Sequence, residues 1–198
     1  MKHLFIKKAP TISFLVVLTV LAISFSRCSS GNNGSMQAKV DSLEGQLKKY
    51  DNDNKMASLR LARFDTLDFD YYSHEKWDSL AVSHDANIKV YYPDGSTTQG
   101  LKPAHVDALK PVFIFAPDTR ITSHPVKFGT GDWTAVIGVM EGTFSKPMPI
   151  GGGKTIPPTG KKFNLMMTTI GHWKDGKMFE EYLFWDNQAF AKQIGLAK

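Results

Sequence analysis

The chain has 198 residues, enough for one ordinary domain with a core of its own. Its composition, 42% hydrophobic, 12% aromatic and 22% charged, is globular. The net charge of +5 does not mark a nucleic-acid binder: Lys2, Lys7, Lys8 and Arg27 all precede Cys28, and without them 20 basic residues face 19 acidic ones, which leaves no basic stripe to neutralise phosphates.

Residues 1–27 carry an address. Lys2, Lys7 and Lys8 precede a nearly unbroken apolar run, Ile12–Phe25, shorter than the ~20 residues a membrane span needs. That is the anatomy of a signal peptide. Cys28 is the only cysteine, so no internal disulfide can form. Phe25-Ser26-Arg27-Cys28 resembles the lipobox of bacterial lipoproteins, with Arg27 where a small residue is usual. The resemblance implies lipid on Cys28 and a domain tethered to a bacterial membrane in the cell envelope, outside the cytoplasm; an uncleaved N-terminal anchor is the alternative. Ser29–Ser35 is a polar linker. Val40, Leu43, Leu47 and Tyr50 then recur at helical spacing, which predicts a helix, a solvated spacer or a short coiled coil, ending at Asp51-Asn52-Asp53-Asn54. The expected organisation is therefore 1–27 signal peptide, 28–54 linker and spacer helix, and 55–198 folded domain.

Helical patterns follow over Lys55–Phe69 and His74–Val82, the second with Ser73 as N-cap. A strand is predicted over Asn87–Tyr92, a turn at Pro93-Asp94-Gly95, and a third helix over Gly100–Phe115. Arg120–Gly129 and Trp133–Phe144 read as strands, the latter with Trp133, Ala135, Ile137, Val139 and Glu141 on one face. Lys146–Gly160 is a loop. Its Gly151-Gly152-Gly153-Lys154-Thr155 lacks the Gly at position 148 and the following helix that a phosphate loop needs, and reads as a flap or a solvent loop. Lys162–Lys174 and Lys177–Trp185 flank Asp175-Gly176, the strongest hairpin signal in the chain. A short helix over Asn187–Gly195 closes it. Helices followed by antiparallel strands indicate an α+β fold with helices on one face of a curved sheet.

From His84 to Leu196 the landmarks resemble the SnoaL-like polyketide cyclases, also called ester cyclases, of the nuclear transport factor 2-like superfamily. They are His84-Asp85, Gly100, Phe115-Ala116-Pro117-Asp118, Gly131-Asp132, Glu141-Gly142-Thr143, Ile156 to Lys161, Asp175-Gly176-Lys177, Asp186 and Gln193-Ile194-Gly195. Phe144 stands where many members carry histidine. The resemblance implies a cone: a strongly curved antiparallel sheet packed on N-terminal helices around a deep apolar pocket, often in a homodimer. It also implies cofactor-free acid/base chemistry on a small apolar carbonyl compound, with Asp186 at the family's acid/base position.

Read from the residues, Asp186 is equally an N-cap for the last helix. Glu180 and Glu181 alternate on the last strand, and pleat parity pairs Glu180 with Tyr182, Phe184 and Asp186, and Glu181 with Phe179, Leu183 and Trp185. Catalytic candidates are Asp186, Glu141, His84 and Glu180; pocket aromatics are Trp133, Phe163, Tyr182, Trp185 and Tyr91. His105, His124 and His172 lack the spacing of a metal motif, so neither a metal nor another cofactor is expected. A non-catalytic lipoprotein that uses the same cone to hold a ligand or a partner is the competing expectation.

Overall fold

The computed structural model describes residues 33–198. The expected signal peptide, Cys28 and most of the expected linker lie outside these residues. Contacts divide the chain into two units, one ending at Tyr50 and the other Asp51–Lys198. In the first unit the residues from Gly34 to Tyr50 are helical and exposed. No helix among the described residues is long and apolar enough to cross a membrane.

Helix α1 runs Asn33–Thr66 and continues through Asp51-Asn52-Asp53-Asn54, where a break was expected. A π-helical turn, Leu67–Tyr72, and a 3-10 segment, Trp77–Val82, follow. Ser73 is not an N-cap; its hydroxyl donates to Asp68 O (2.6 Å) and accepts from Ile121 N (2.8 Å). Strands β1 (His84–Tyr91) and β2 (Thr97–Gln99) come next. The expected third helix is broken into a π turn at Leu101–His105 and two short helices, α2 (Val106–Leu109) and α3 (Pro111–Phe115). Strands β3 (Arg120–Thr130) and β4 (Trp133–Thr143) form a hairpin. The small pair β5 (Met148–Pro149) and β6 (Thr155–Ile156) flanks the exposed Gly151–Gly153 turn. The long hairpin β7 (Lys162–Lys174) and β8 (Lys177–Trp185) keeps its predicted bounds, and α4 (Asn187–Gln193) ends the fold.

The main sheet has the order β2-β1-β8-β7-β4-β3. All neighbours are antiparallel except β1 and β8, which pair in parallel, Val90 opposite Glu181. This long-range pairing carries β1 to the far end of the sheet from β3.

One face of the sheet packs against the C-terminal part of α1 and the turns that follow. Phe64, Leu80, Ile88, Val90, Val136, Trp173 and Met178 form its core. Each such side chain contributes roughly 1.5–3 kcal/mol by leaving water. Trp173 meets Phe64 edge-on (5.8 Å between rings), and its indole N–H donates to Thr134 Oγ1 (2.8 Å), so a large aromatic is buried without an orphan donor. A second cluster, Phe115, Ala116, Phe144, Phe163 and Ile194, seals the other end. Phe144 is fully buried there against Phe115.

Two sequence landmarks prove to be ties. Asp118 accepts from Thr143 N (2.8 Å) and Thr143 Oγ1 (2.7 Å), joining the segment after α3 to the end of β4. Asp132, after Gly131 in the β3–β4 turn, pairs with Arg60 of α1 at 2.8 Å.

The opposite face of the sheet is apolar too. Phe128, Ala135, Ile170, Tyr182 and Tyr91 stand in one cross-strand row, followed by Val126, Ile137, Thr168 and Phe184. Phe128 and Phe184 are exposed there.

Candidate functional site

A cavity of about 460 Å³ opens between the inner face of the sheet and the helical segments. Its walls are mostly apolar, with Leu67, Leu109, Val112, Met140, Leu165 and Leu183 among them. Into this wall fold the polar groups of Asp68, Tyr72, His84, Tyr92, His105 and Glu181.

Three of these converge. Glu181 comes from β8, His84 from the start of β1 and His105 from the turn before α2; all three are buried. Glu181 Oε2 lies 3.3 Å from His105 Nε2 and 3.7 Å from His84 Nε2. Neither approach is a hydrogen bond, and among the described residues Oε2 has no hydrogen-bond partner although the side chain is only 6% exposed. The far nitrogens are held from outside. His84 Nδ1 lies 3.0 Å from the carbonyl of Leu80, and His105 Nδ1 lies 3.0 Å from the Tyr92 hydroxyl, which also meets Thr98 Oγ1 at 3.1 Å. A carbonyl only accepts, so His84 must carry a proton on Nδ1. Burial pushes His105 down to about 4, which leaves it neutral. Burial alone would push Glu181 up, but the two imidazoles facing it hold its carboxyl below the ordinary value.

Asp68, from the π turn, lines the same cavity and has the opposite bias. Burial raises it, and its bond to His124 only partly offsets that. His124 of β3 is bonded on both ring nitrogens to carboxylates, Nδ1 to Asp65 and Nε2 to Asp68, each at 2.8 Å. Those two bonds raise His124 against the effect of its burial. The Tyr72 hydroxyl, also raised by burial, points at Met140 Sδ (3.6 Å).

The expected site residues divide sharply. His84 and Trp185 line the cavity. Asp186 does not; its Oδ1 accepts from the amides of Gln188 (2.8 Å) and Ala189 (2.9 Å) as the N-cap of α4. Glu180 faces the opposite side of the sheet and bonds His172 Nδ1 (2.8 Å). Glu141 sits on that side as well, in the row of Trp133, Ala135, Ile137 and Val139, while the buried row of β4 is Thr134, Val136, Gly138 and Gly142. Trp133 stacks on His172 at 3.8 Å, and Tyr91 stacks on Tyr182 at 4.4 Å, all away from the cavity. Phe163 belongs to the second core cluster, against Phe190.

A bulge explains the glutamates. In the β7–β8 ladder Trp173 opposes Met178 and His172 opposes Glu180, so Phe179 is the extra residue. Phe179 therefore lies against His172 (4.4 Å between rings) on Glu180's side, not with Glu181 as simple alternation predicts. Leu183 and Trp185 do share Glu181's side.

Sequence reasoning missed Asp68, His105 and Glu181 as site residues. The one available signal was Glu181's place among Leu183 and Trp185, a carboxylate on an apolar strand face. The expectation of no metal rested on short ligand motifs, whereas His84, His105 and Glu181 are distant in sequence and present ligand atoms within 4.8 Å of one another.

The family model for SnoaL-like polyketide cyclase matches residues 65–194, which hold the cavity and its polar groups. No curated protein matches the chain. Among solved structures, a candidate SnoaL-like polyketide cyclase from Jannaschia sp. CCS1 aligns with a TM-score of 0.61 at 16% identity, covering 72% of this chain and 96% of that one. IdmH, a candidate polyketide cyclase from Streptomyces antibioticus, aligns with a TM-score of 0.58 at 20% identity, covering 69% and 98%. AclR, a candidate hydroxylase from Streptomyces galilaeus, aligns with a TM-score of 0.58 at 14% identity, covering 72% and 99%. At these identities the likeness establishes the fold, an α+β cone of the nuclear transport factor 2-like kind.

Proposed function

The chain belongs to the SnoaL-like polyketide cyclase family, and from that premise we propose that its cavity binds a small, largely apolar carbonyl compound and moves protons on it. The observation that carries this reading is the opposed bias of two carboxylates on one apolar wall. Burial raises Asp68, while two imidazoles hold Glu181 down. Groups pushed apart in this way take different roles: the raised one is poised to exchange a proton, and the lowered one stays ionised and orients the imidazoles beside it.

Asp68 is the base. It takes a proton from the carbon beside the carbonyl, and the C–H electron pair moves into an enolate. The developing oxygen charge is met by a hydrogen bond or a proton from an imidazole N–H of His84 or His105, the rings that Glu181 faces. The enolate carbon is then reprotonated elsewhere, as in an isomerisation, or attacks a second carbonyl in the same molecule, as in ring closure. Asp186 has no part in these steps, since its carboxylate is engaged by helix amides.

Native mass spectrometry of the purified protein, followed by turnover assays on the compound it retains, tests the reading. Asp68→Asn should keep ligand affinity and lower turnover about 10²–10⁴-fold, the usual range for a positioned acid or base. An Asp68→Asn protein as active as wild type would sink the assignment. A ligand that wild type and variant bind alike and neither converts would favour the non-catalytic reading.

The tether is part of the proposal. The apolar run before Cys28 and the polar linker after it support a lipid-anchored domain held outside the cytoplasm. Fatty-acid labelling should be lost in Cys28→Ser, which should also leave the membrane fraction; a variant that partitions like wild type would refute it.

A further inference from the structure

We propose that His84, His105 and Glu181 form a binding site for one divalent first-row transition-metal ion, of the class that two imidazoles and a carboxylate take together, such as zinc(II) or iron(II). The site needs only the geometry of these three side chains and stands whether or not the cavity turns a substrate over.

The first support is convergence. The three residues offer ligand atoms within 4.8 Å of one another, and Glu181 Oε2 is already 3.3 Å and 3.7 Å from the two imidazole nitrogens. Ligands about 2.0–2.2 Å from a shared ion stand roughly 3–3.5 Å from each other, so small side-chain rotations complete the set.

The second is orientation. Metal-bound histidines characteristically give their other ring nitrogen to a carbonyl, a carboxylate or a water, which fixes the ring and its tautomer. Here both do something equivalent: His84 Nδ1 is held by Leu80 O and His105 Nδ1 by Tyr92, which is itself held by Thr98. With Nδ1 of His84 committed to Leu80 O, Nε2 is the nitrogen left facing the carboxylate oxygen.

The third is the unmet acceptor. Glu181 Oε2 has no hydrogen-bond partner within a side chain 6% exposed. A buried carboxylate oxygen with no donor is costly unless a cation satisfies it. A proton can serve, and so can a metal ion, which satisfies all three ligands together.

The fourth is access. The three residues stand on the cavity wall, so an ion held by three protein ligands keeps coordination positions open toward the ligand space. A carbonyl oxygen placed there would be polarised with Asp68 on the same wall. The other buried histidine is not available in this way, because His124 already has both nitrogens bonded to Asp65 and Asp68.

The test uses the full chain, stripped with a chelator and dialysed, then titrated with cobalt(II) and followed by visible ligand-field absorption, with zinc(II) as competitor. The expected result is saturable binding of one ion per chain, displaced by zinc. Glu181→Gln and His105→Gln should each weaken it about 100-fold or more, since losing a ligand costs more than losing an outer partner. Tyr92→Phe leaves all three ligands in place and should weaken binding about 10–100-fold through the released His105 ring. His172→Gln, on the other face of the sheet, should bind like wild type. Absence of stoichiometric binding to wild type overturns the proposal, as does equal affinity in Glu181→Gln and His105→Gln. Should those variants fail to fold, the wild-type titration and Tyr92→Phe decide alone. Asp68→Asn should bind cobalt(II) as wild type does, so loss of turnover in that variant speaks only to the catalytic reading.

Discussion

His124 is the most instructive single residue to remove. Its two nitrogens each reach a carboxylate at 2.8 Å, which requires both to donate and therefore a charged ring. The side chain is 1% exposed, and Phe69 covers it with rings 4.4 Å apart. In His124→Ala the two partners fare differently. Asp65 is 33% exposed and keeps Lys127 at 2.5 Å, so it loses little. Asp68, 14% exposed, is left without its cation. Stranding a buried charge costs about 3–5 kcal/mol, but an acid whose value is already raised can take up a proton and limit that cost. The expected loss is therefore about 3 kcal/mol under mildly acidic conditions. The sign with pH follows from the directions of the shifts. His124 is raised above 6.5, so its contribution is complete below about that pH and fades as pH rises through the raised value. Asp65 is lowered from 3.8, so its share is present above that value and is lost as pH falls through the lowered one. Urea denaturation of wild type and variant near pH 5.5 and near pH 9 reads the difference directly. The gap should be largest at the lower pH and shrink at the higher. An equal gap at both would refute the charged clamp.

Asp186→Ala should lose about 1 kcal/mol of stability, the ordinary worth of an N-cap, with ligand affinity unchanged; thermal unfolding and a binding titration check both halves. Gly142→Ala should lose about 1–3 kcal/mol, because its Cβ would come within 2.6 Å of Phe163 Cζ and 3.0 Å of Thr119 Oγ1; a Phe163→Leu background should recover part of the loss in chemical denaturation. Trp133→Ala should leave ligand affinity unchanged, since the ring stacks on His172 across the sheet from the cavity; a clear loss of affinity would return Trp133 to the site.

What could be read from the sequence was written in local chemistry. Asp175-Gly176 set the long hairpin because the turn takes positive φ at both positions, 49° and 76°. The cap was one of two readings the sequence offered for Asp186, legible because capping involves only the next three residues. The passage from α-helix to a π-helical turn after Thr66 and the breaking of the third helix were hidden, because tertiary packing imposes them on sequence that is helical by pattern. The faces of β4 were misleading for another reason. Both are largely apolar, so the row holding Trp133 and Ile137 looked like the core while the row holding Thr134 and Gly138 is the buried one. His105 and Glu181 became neighbours only through the parallel pairing of β1 with β8, and nothing near either residue announces that contact.

The single extra residue at Phe179 has a consequence for how this pocket could change. Were every residue kept but the ladder regular, Phe179 would oppose His172 and Glu180 would oppose Gly171, sending Glu180 inward and Glu181 out. The bulge thus works as a selector between two adjacent carboxylates, and it does so from the strand's turn end rather than from the cavity. A regular ladder would exchange the acid facing His84 and His105, and would turn Leu183 and Trp185 off the wall with it. Deleting Phe179 alone would instead leave Glu181 inward, so it is the added residue's being accommodated as a bulge, and not its side chain, that sets which acid the pocket presents.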